Sequence, residues 1–223
     1  MNKQNRLLQL PEGKNRLLLH SCCAPCSGDI ILRLIESSIK FQIFFYNPNI
    51  HPKKEYLLRK EENINFAKKY NIPFIDAEYD TKNWFKITEG MEWEPERGLR
   101  CDSCFDMRFI KTAEYAYKHG FDLISSTLGI SRWKDIDQIN RAGTKSTSPF
   151  SNIDYWSINW RKQGGSQEML NVSKNERFYM QEYCGCVYSL RDTNNWRMKN
   201  NKPKIEFGLK FYENLNKETS KDK

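Results

Sequence analysis

The sequence predicts an α/β fold: a parallel sheet with helices on both faces, three layers in the Rossmann-like or nucleotide-hydrolase-like manner. Three observations carry this expectation. Short apolar runs alternate with longer segments of helical periodicity. The segments between successive runs are long enough for the dozen or more residues that a right-handed parallel crossover needs. With 223 residues, 39% of them hydrophobic and 13% aromatic, the chain can bury one ample core.

The elements follow in order. RLLLH (16–20) reads as a buried strand, and SGDIILRLIESS (27–38) continues with Ile30, Ile31, Leu34 and Ile35 at helical spacing. FQIFFY (41–46) is a second strand, leading through the loop NPNIHP (47–52) into a charged helix over 53–70. A third strand over 73–79 precedes an irregular region, about 80–99. The stretch 101–120 reads as one helix ending at a glycine cap, and 121–127 as the fourth strand. A helix over 135–143, a fifth strand over 154–160 and a helix over 166–183 complete the series. Sheets of this kind bind ligands at the carboxyl ends of their strands. That edge would carry Cys22 and Cys23 after strand one, His51 after strand two and TLGISRWK after strand four. Residues 16–191 are expected to form the catalytic α/β domain, with 1–15 an N-terminal extension and 192–223 a basic C-terminal extension.

No stretch approaches the roughly 18–20 apolar residues of a membrane helix, and the first residues lack a secretory apolar segment. A cytoplasmic location with no membrane partner is therefore expected. The net charge of +8 and pI near 9.0 suit an anionic partner such as nucleic acid. Residues 191–223 alone hold nine Lys or Arg against five Asp or Glu.

Seven cysteines fall into three groups: Cys22, Cys23 and Cys26; Cys101 and Cys104; Cys184 and Cys186. Buried structural cysteines would not be expected to bunch, and in a reducing compartment bunched thiols point to metal or redox chemistry. Cys22 and Cys23 with Cys101 and Cys104 supply four thiolates, the number wanted by a tetrahedral zinc or a four-iron cluster. Adjacent ligands favour the cluster, because zinc ligand pairs usually skip two to four residues. Cys184 and Cys186 around Gly185 could close a small strained disulfide that exchanges two electrons, or ligate a second metal. Cys26 has no assigned role. His51 is a candidate ligand or proton donor, and Asp102 and Asp106 are candidate acceptors or extra ligands beside the Cys-x-x-Cys. Tyr46, Tyr56 and Arg59 would face the same edge, with Arg59 available for a phosphate. Trp133, Trp156, Trp160 and Trp196 lie among basic residues, a combination that stacks on unpaired bases.

Taken together, LLLHSCCAPCSG, FYNPNIHPKKEYLLR, RCDSCFDMRF, STLGISRWKDIDQIN and YMQEYCGCVYS resemble the cobalamin-independent epoxyqueuosine reductases of the QueH type. The resemblance spans roughly residues 16–191. It implies a tRNA-modifying oxidoreductase that removes the epoxide oxygen of epoxyqueuosine at the wobble position, leaving an alkene and water. By the same resemblance, Cys22, Cys23, Cys101 and Cys104 would hold a [4Fe-4S] cluster, Cys184 and Cys186 would be the redox-active pair, and no cobalamin is expected. An additional adjacent iron is implied, with Asp106 as the ligand to test. His51 and Tyr46 are the proton donors to test. The partners implied are tRNA carrying epoxyqueuosine and an electron donor that the sequence does not identify. Two alternatives stand beside this reading: a nucleic-acid-binding module built on a four-cysteine zinc site, and a thiol-dependent tRNA sulfurtransferase. The second would need ATP, yet the loop after strand one is rich in cysteine rather than in the glycine and serine that cradle phosphates.

Overall fold

The computed structural model describes residues 6–207. Strands β1 (Leu17–His20), β2 (Phe41–Phe45), β3 (Phe74–Asp76), β4 (Leu123–Ser126) and β5 (Asp154–Tyr155) form one parallel sheet in the order β3-β2-β1-β4-β5. β1 lies at its centre, with Leu19 opposite both Ile43 and Ser125. Leu17, Leu18 and Leu19 are all fully buried, as expected of a central strand covered on both faces. Each such side chain contributes roughly 1.5–3 kcal/mol of burial.

Helices α1 (Ala24–Glu36) and α2 (Lys53–Lys69) carry the chain from β1 to β2 and from β2 to β3. α3 (Thr81–Ile87) and α4 (Leu99–Lys118) bring it back across the sheet to β4, and α5 (Ile136–Thr147) leads to β5. α1 packs on α2 and on α6 (Gly165–Asn175), whereas α4 packs on α5 and against β1 and β4. The reversal of strand order therefore falls between β1 and β4, which opens a crevice where the loops after those two strands part.

Several boundaries differ from the sequence expectation, each for a physical reason. α1 starts at Ala24 because Pro25 is accommodated in the first helical turn and Cys23 caps it in an extended conformation. α3 occupies part of the region expected to be irregular; Asp80 starts it, its carboxylate accepting from Asn83 N at 3.1 Å. β5 keeps only two residues of the expected 154–160, because the chain turns so that Trp160 is buried and donates to Ser126 O at 3.0 Å. α6 ends at Asn175 instead of running to 183. Arg177 takes a left-handed φ of 55°, Phe178 N returns to Ser173 O at 2.9 Å, and Tyr179 N is captured by Glu62 Oε1 at 2.7 Å.

α7 (Val187–Lys199) crosses residue 192, where the basic extension was expected to begin, and Arg191 donates to Glu92 O at 2.8 Å. Residues 208–223 of that extension lie outside the described residues. At the other end, Arg6 pairs with Asp29 at 2.5 Å and Leu8 N donates to Ser37 Oγ at 2.9 Å, so residues from 6 onward pack on α1. Among the described residues no helix is long and apolar enough to cross a membrane.

A candidate metal centre lined by three cysteine groups

The turn from β1 into α1 sets the first group. Cys22 leaves the strand, Cys23 caps the helix and Cys26 stands one turn on, so the three sulfurs converge within 4.8 Å of one another, all buried. Cys22 and Cys23 sulfurs are 3.7 Å apart. The turn is held from outside: Ser27 Oγ donates to Cys23 O at 2.7 Å, Ser21 Oγ donates to Asn63 at 2.6 Å, and Asn47 Nδ2 donates to Ser21 O at 2.9 Å. Gln181 Nε2 reaches in to donate to Cys23 Sγ at 2.8 Å.

The three thiols share protons unequally. Hydrogen bonds from Cys23 and Cys26 hold Cys22 well below the usual thiol range, and the Arg108 and Lys134 charges add to this against the cost of burial. The same bonds push Cys23 up to about 12 and raise Cys26. One thiolate is thus shared among three sulfurs, and a soft cation binding there would displace the remaining protons.

The second group sits in the first turns of α4. Cys101 packs against the core that contains the first group, and Cys104 is buried. Burial, then the neighbouring Cys184 charge, pushes Cys101 up to about 11. Arg97 N donates to its sulfur at 3.3 Å.

The third group comes in on the segment between α6 and α7. Arg59, buried under it, pairs with Glu55 at 2.7 Å and donates to Cys184 O at 3.1 Å and to Tyr183 O at 3.2 Å. His51 N donates to Gly185 O at 2.8 Å, and Tyr183 OH donates to His51 O. Gly185 has a φ of 137°, a conformation that side chains rarely adopt, and a Cβ there would meet Arg59 and Ile50 at 3.2 Å. Cys184 is consequently exposed at the mouth of the site.

Lys134, half-buried in the loop after β4, ties the groups together. Its Nζ donates to Cys184 Sγ at 3.1 Å, and its ammonium is stabilised by the charges of Cys184, Cys22 and Cys26 against burial. Cys101 also senses Lys134 and Cys186 senses Cys104, so the groups are electrostatic neighbours, while among the described residues the sulfurs that gather within 4.8 Å of one another are those of Cys22, Cys23 and Cys26.

The structure departs from several sequence expectations. The expected Cys184–Cys186 disulfide is absent: all seven cysteines are free thiols. Cys186 caps α7, its Sγ accepting from Ser189 N at 3.3 Å, while Cys184 turns to Lys134, so the two sulfurs are drawn to different partners. Arg59 is not available for a phosphate, since its guanidinium already serves Glu55 and two backbone carbonyls.

Asp106 sits on the α4–α5 edge, its carboxylate held by Lys145 at 2.5 Å. His51 packs among Trp84, Phe85 and Tyr79; its ring leans towards the Asn49 backbone without completing a hydrogen bond, and burial lowers it to about 4. Tyr46 lies in the core beside Phe44, where burial and then the Asp80, Glu78 and Glu114 carboxylates push its phenol up to about 12. Neither is tuned to give up a proton near neutrality.

Cys26, Lys134 and Gln181 are the site residues that sequence reasoning left without a role. For Cys26 a signal existed, since its spacing from Cys22 and Cys23 puts it one turn into a helix. Lys134 and Gln181 carry none, because their approach depends on loops folded from distant parts of the chain.

The family model described as epoxyqueuosine reductase QueH matches residues 17–192. Epoxyqueuosine reductase QueH of Haemophilus influenzae is 63% identical over 205 residues, covering 92% of this chain and 84% of that one. Its counterpart in Acinetobacter baylyi is 60% identical over 212 residues, covering 95% and 97%. The Thermotoga maritima protein of that name is 33% identical over 177 residues, covering 78% and 90%. Among solved structures, the U34-tRNA thiolase NcsA from Methanococcus maripaludis with its [4Fe-4S] cluster is similar, with a TM-score of 0.54 and 11% identity over 89% of this chain and 71% of that one. At that identity the likeness supports the α/β architecture alone.

Proposed function

The chain belongs to the QueH family of epoxyqueuosine reductases, and from that premise we propose how its residues divide the work. The reaction is the conversion of epoxyqueuosine to queuosine in tRNA, an oxidoreductase chemistry in which an epoxide takes up two electrons and two protons and leaves as alkene and water. Neither the zinc-module nor the sulfurtransferase alternative finds support in the comparisons.

The buried, all-sulfur donor group of Cys22, Cys23 and Cys26 fits an iron-sulfur group. Cys22, Cys23, Cys101 and Cys104 would hold a [4Fe-4S] cluster, with Cys26 a further sulfur within 4.8 Å of Cys22 and Cys23. When bound, such a group supplies single electrons and a Lewis-acidic iron for the epoxide oxygen. If a further iron binds beside it, Cys26 is the donor at hand; Asp106 is engaged by Lys145.

Cys184 and Cys186 are the two-electron source. The balance closes on them: two thiols become one disulfide, releasing the two electrons and two protons that the epoxide consumes. Gly185 gives the backbone the freedom to bring the sulfurs together. An external donor then re-reduces the pair. Lys134 holds the Cys184 sulfur and keeps a positive charge beside it, where negative charge develops as the epoxide opens. Tyr183 and His51 fix the loop through backbone contacts, which makes His51 a positioning residue.

The observation that carries this reading is the buried group of Cys22, Cys23 and Cys26, with Lys134 reaching from the loop after β4 to the Cys184 sulfur. Purification without air, with iron and sulfide quantified and nucleosides from treated tRNA analysed by mass spectrometry, tests it. A brown protein that converts epoxyqueuosine to queuosine is expected. A colourless protein with one equivalent of zinc would sink the iron-sulfur assignment.

A further inference from the structure

We propose that Trp93 and Trp133 are two stacking platforms for the unpaired bases that flank the modified nucleotide when tRNA docks. The proposal rests on the tRNA substrate of the family and adds the surface that grips it. Trp93 is 81% exposed and Trp133 67% exposed, the two most open indole rings of the chain. Each ring has a guanidinium against it, Arg191 at 4.1 Å from the Trp93 centroid and Arg132 at 4.9 Å from that of Trp133. An indole with an adjoining cation matches a nucleobase with its neighbouring phosphate.

Both rings stand on loops that are rigidly held. Arg191 donates to Glu92 O at 2.8 Å, next to Trp93, and buried Arg100 donates to Met91 O at 3.1 Å and Glu94 O at 2.5 Å on either side. The loop on both sides of Trp133 is clamped by Arg161, which donates to Gly129 O at 2.9 Å, Ser131 O at 2.5 Å and Lys134 O at 2.8 Å. Arg97 in turn donates to Trp133 O at 2.9 Å. Arg97 itself has a left-handed φ of 69°, and Gln138 holds its carbonyl at 3.0 Å. Non-glycine residues keep such a conformation only where their surroundings enforce it. A platform ordered before binding spares the ordering cost that a loose loop would incur.

These loops are also joined to the cysteines. Arg97 N donates to Cys101 Sγ at 3.3 Å, Lys134 directly follows Trp133 and donates to Cys184 Sγ at 3.1 Å, and Arg191 stands on the helix that Cys186 begins. The loop of Trp133 is thus tied to Cys101 and Cys184, and that of Trp93 to the helix that Cys186 begins. An anticodon loop, whose bases can splay and stack, is the partner whose chemistry fits this arrangement.

Fluorescence anisotropy with a short anticodon stem-loop RNA tests the proposal. Trp93→Ala and Trp133→Ala should each weaken binding about 10-fold and raise KM more than they lower kcat, and Phe at either position should restore most of the affinity. Tyr117→Ala removes an exposed ring near the far end of α4 and should bind as the unsubstituted protein does. Unchanged affinity in both Trp→Ala proteins would overturn the proposal, as would an equal loss in Tyr117→Ala. Unchanged RNA affinity with slower re-reduction would assign the rings to the electron-delivering protein and also overturn it. Conversion of the epoxide in the same stem-loop by the unsubstituted protein tests the underlying reading separately: RNA bound through both rings but never reduced would refute the reductase reading and leave the platforms standing.

Discussion

Cys184 and Cys186 illustrate how much at the residue scale is written in spacing and how much is set by folding. That the chain has three thiol groups is legible directly, because ligand and redox chemistry need sulfurs in pairs and the pairs are local in sequence. Which sulfurs meet is not, since Cys184 finds Lys134 and Cys23 finds Gln181 across 50 and 158 positions of chain. His51 and Tyr46 show the converse: both lie where the sheet topology led one to look, yet burial moves one to about 4 and the other to about 12. Burial is a tertiary quantity that a side chain's name does not carry. If Cys184 and Cys186 supply electrons and do not ligate metal, Cys184→Ser and Cys186→Ser should keep full iron and sulfide content while kcat falls on the order of 100-fold or more. Metal analysis and a single-turnover assay on anaerobic protein check this; loss of iron in step with activity would move the pair into the ligand set.

At the element scale, strand and helix existence followed from periodicity, and the failures fall where tertiary contacts end an element early. The apolar spacing after Gly165 continues past Asn175, but Glu62 and Ser173 capture the backbone at Tyr179 and Phe178 and turn the chain towards the cysteines. α7 is polar enough on most of its surface to read as tail, and its packing depends on arginine contacts with distant carbonyls. The α5–β5 contact shows how closely a helix approaches the edge strand of the sheet: a Cβ added at Gly143 would lie 2.5 Å from the Tyr155 ring. Three ring atoms at that distance cannot be relieved by a small side-chain shift. Gly143→Ala should therefore lower stability by about 1–3 kcal/mol through overpacking, although alanine is the better helix former. Urea unfolding decides it, and an unchanged or raised midpoint would show that β5 can move away freely.

For the whole molecule, the order β3-β2-β1-β4-β5 puts the crevice beside the central strand, so the same core that stabilises the fold fixes the site, and α2 carries part of that coupling. Glu55 and Arg59 on α2 hold the segment bearing Tyr179 and Cys184, and Glu62 joins them from a buried position with Oε2 unpartnered. Burial pushes the Glu62 carboxyl up to about 7, against the pull of Tyr179 N–H and Arg59. In the unfolded chain the same group titrates near its ordinary 4.5. Its contribution is thus fully present below that value and is lost as pH rises to about 7, because the native state must either keep a proton that the unfolded state has released or bury a charge. His51 and His20, lowered by burial to about 4 and about 3, act in the opposite sense, removing stability as pH falls below 6.5. The difference between the parent and Glu62→Gln isolates Glu62, since both proteins share the histidines and the glutamine oxygen can still accept from Tyr179 N. Between pH 5 and pH 8 the parent should lose on the order of 2–3 kcal/mol relative to Glu62→Gln. Denaturant unfolding at the two pH values, under anaerobic conditions with metal content held equal, gives the comparison. Parallel pH profiles for the two proteins would mean that Glu62 ionises in the native state as readily as in the unfolded chain, and that the contact between α2 and the cysteine-bearing segment is wet.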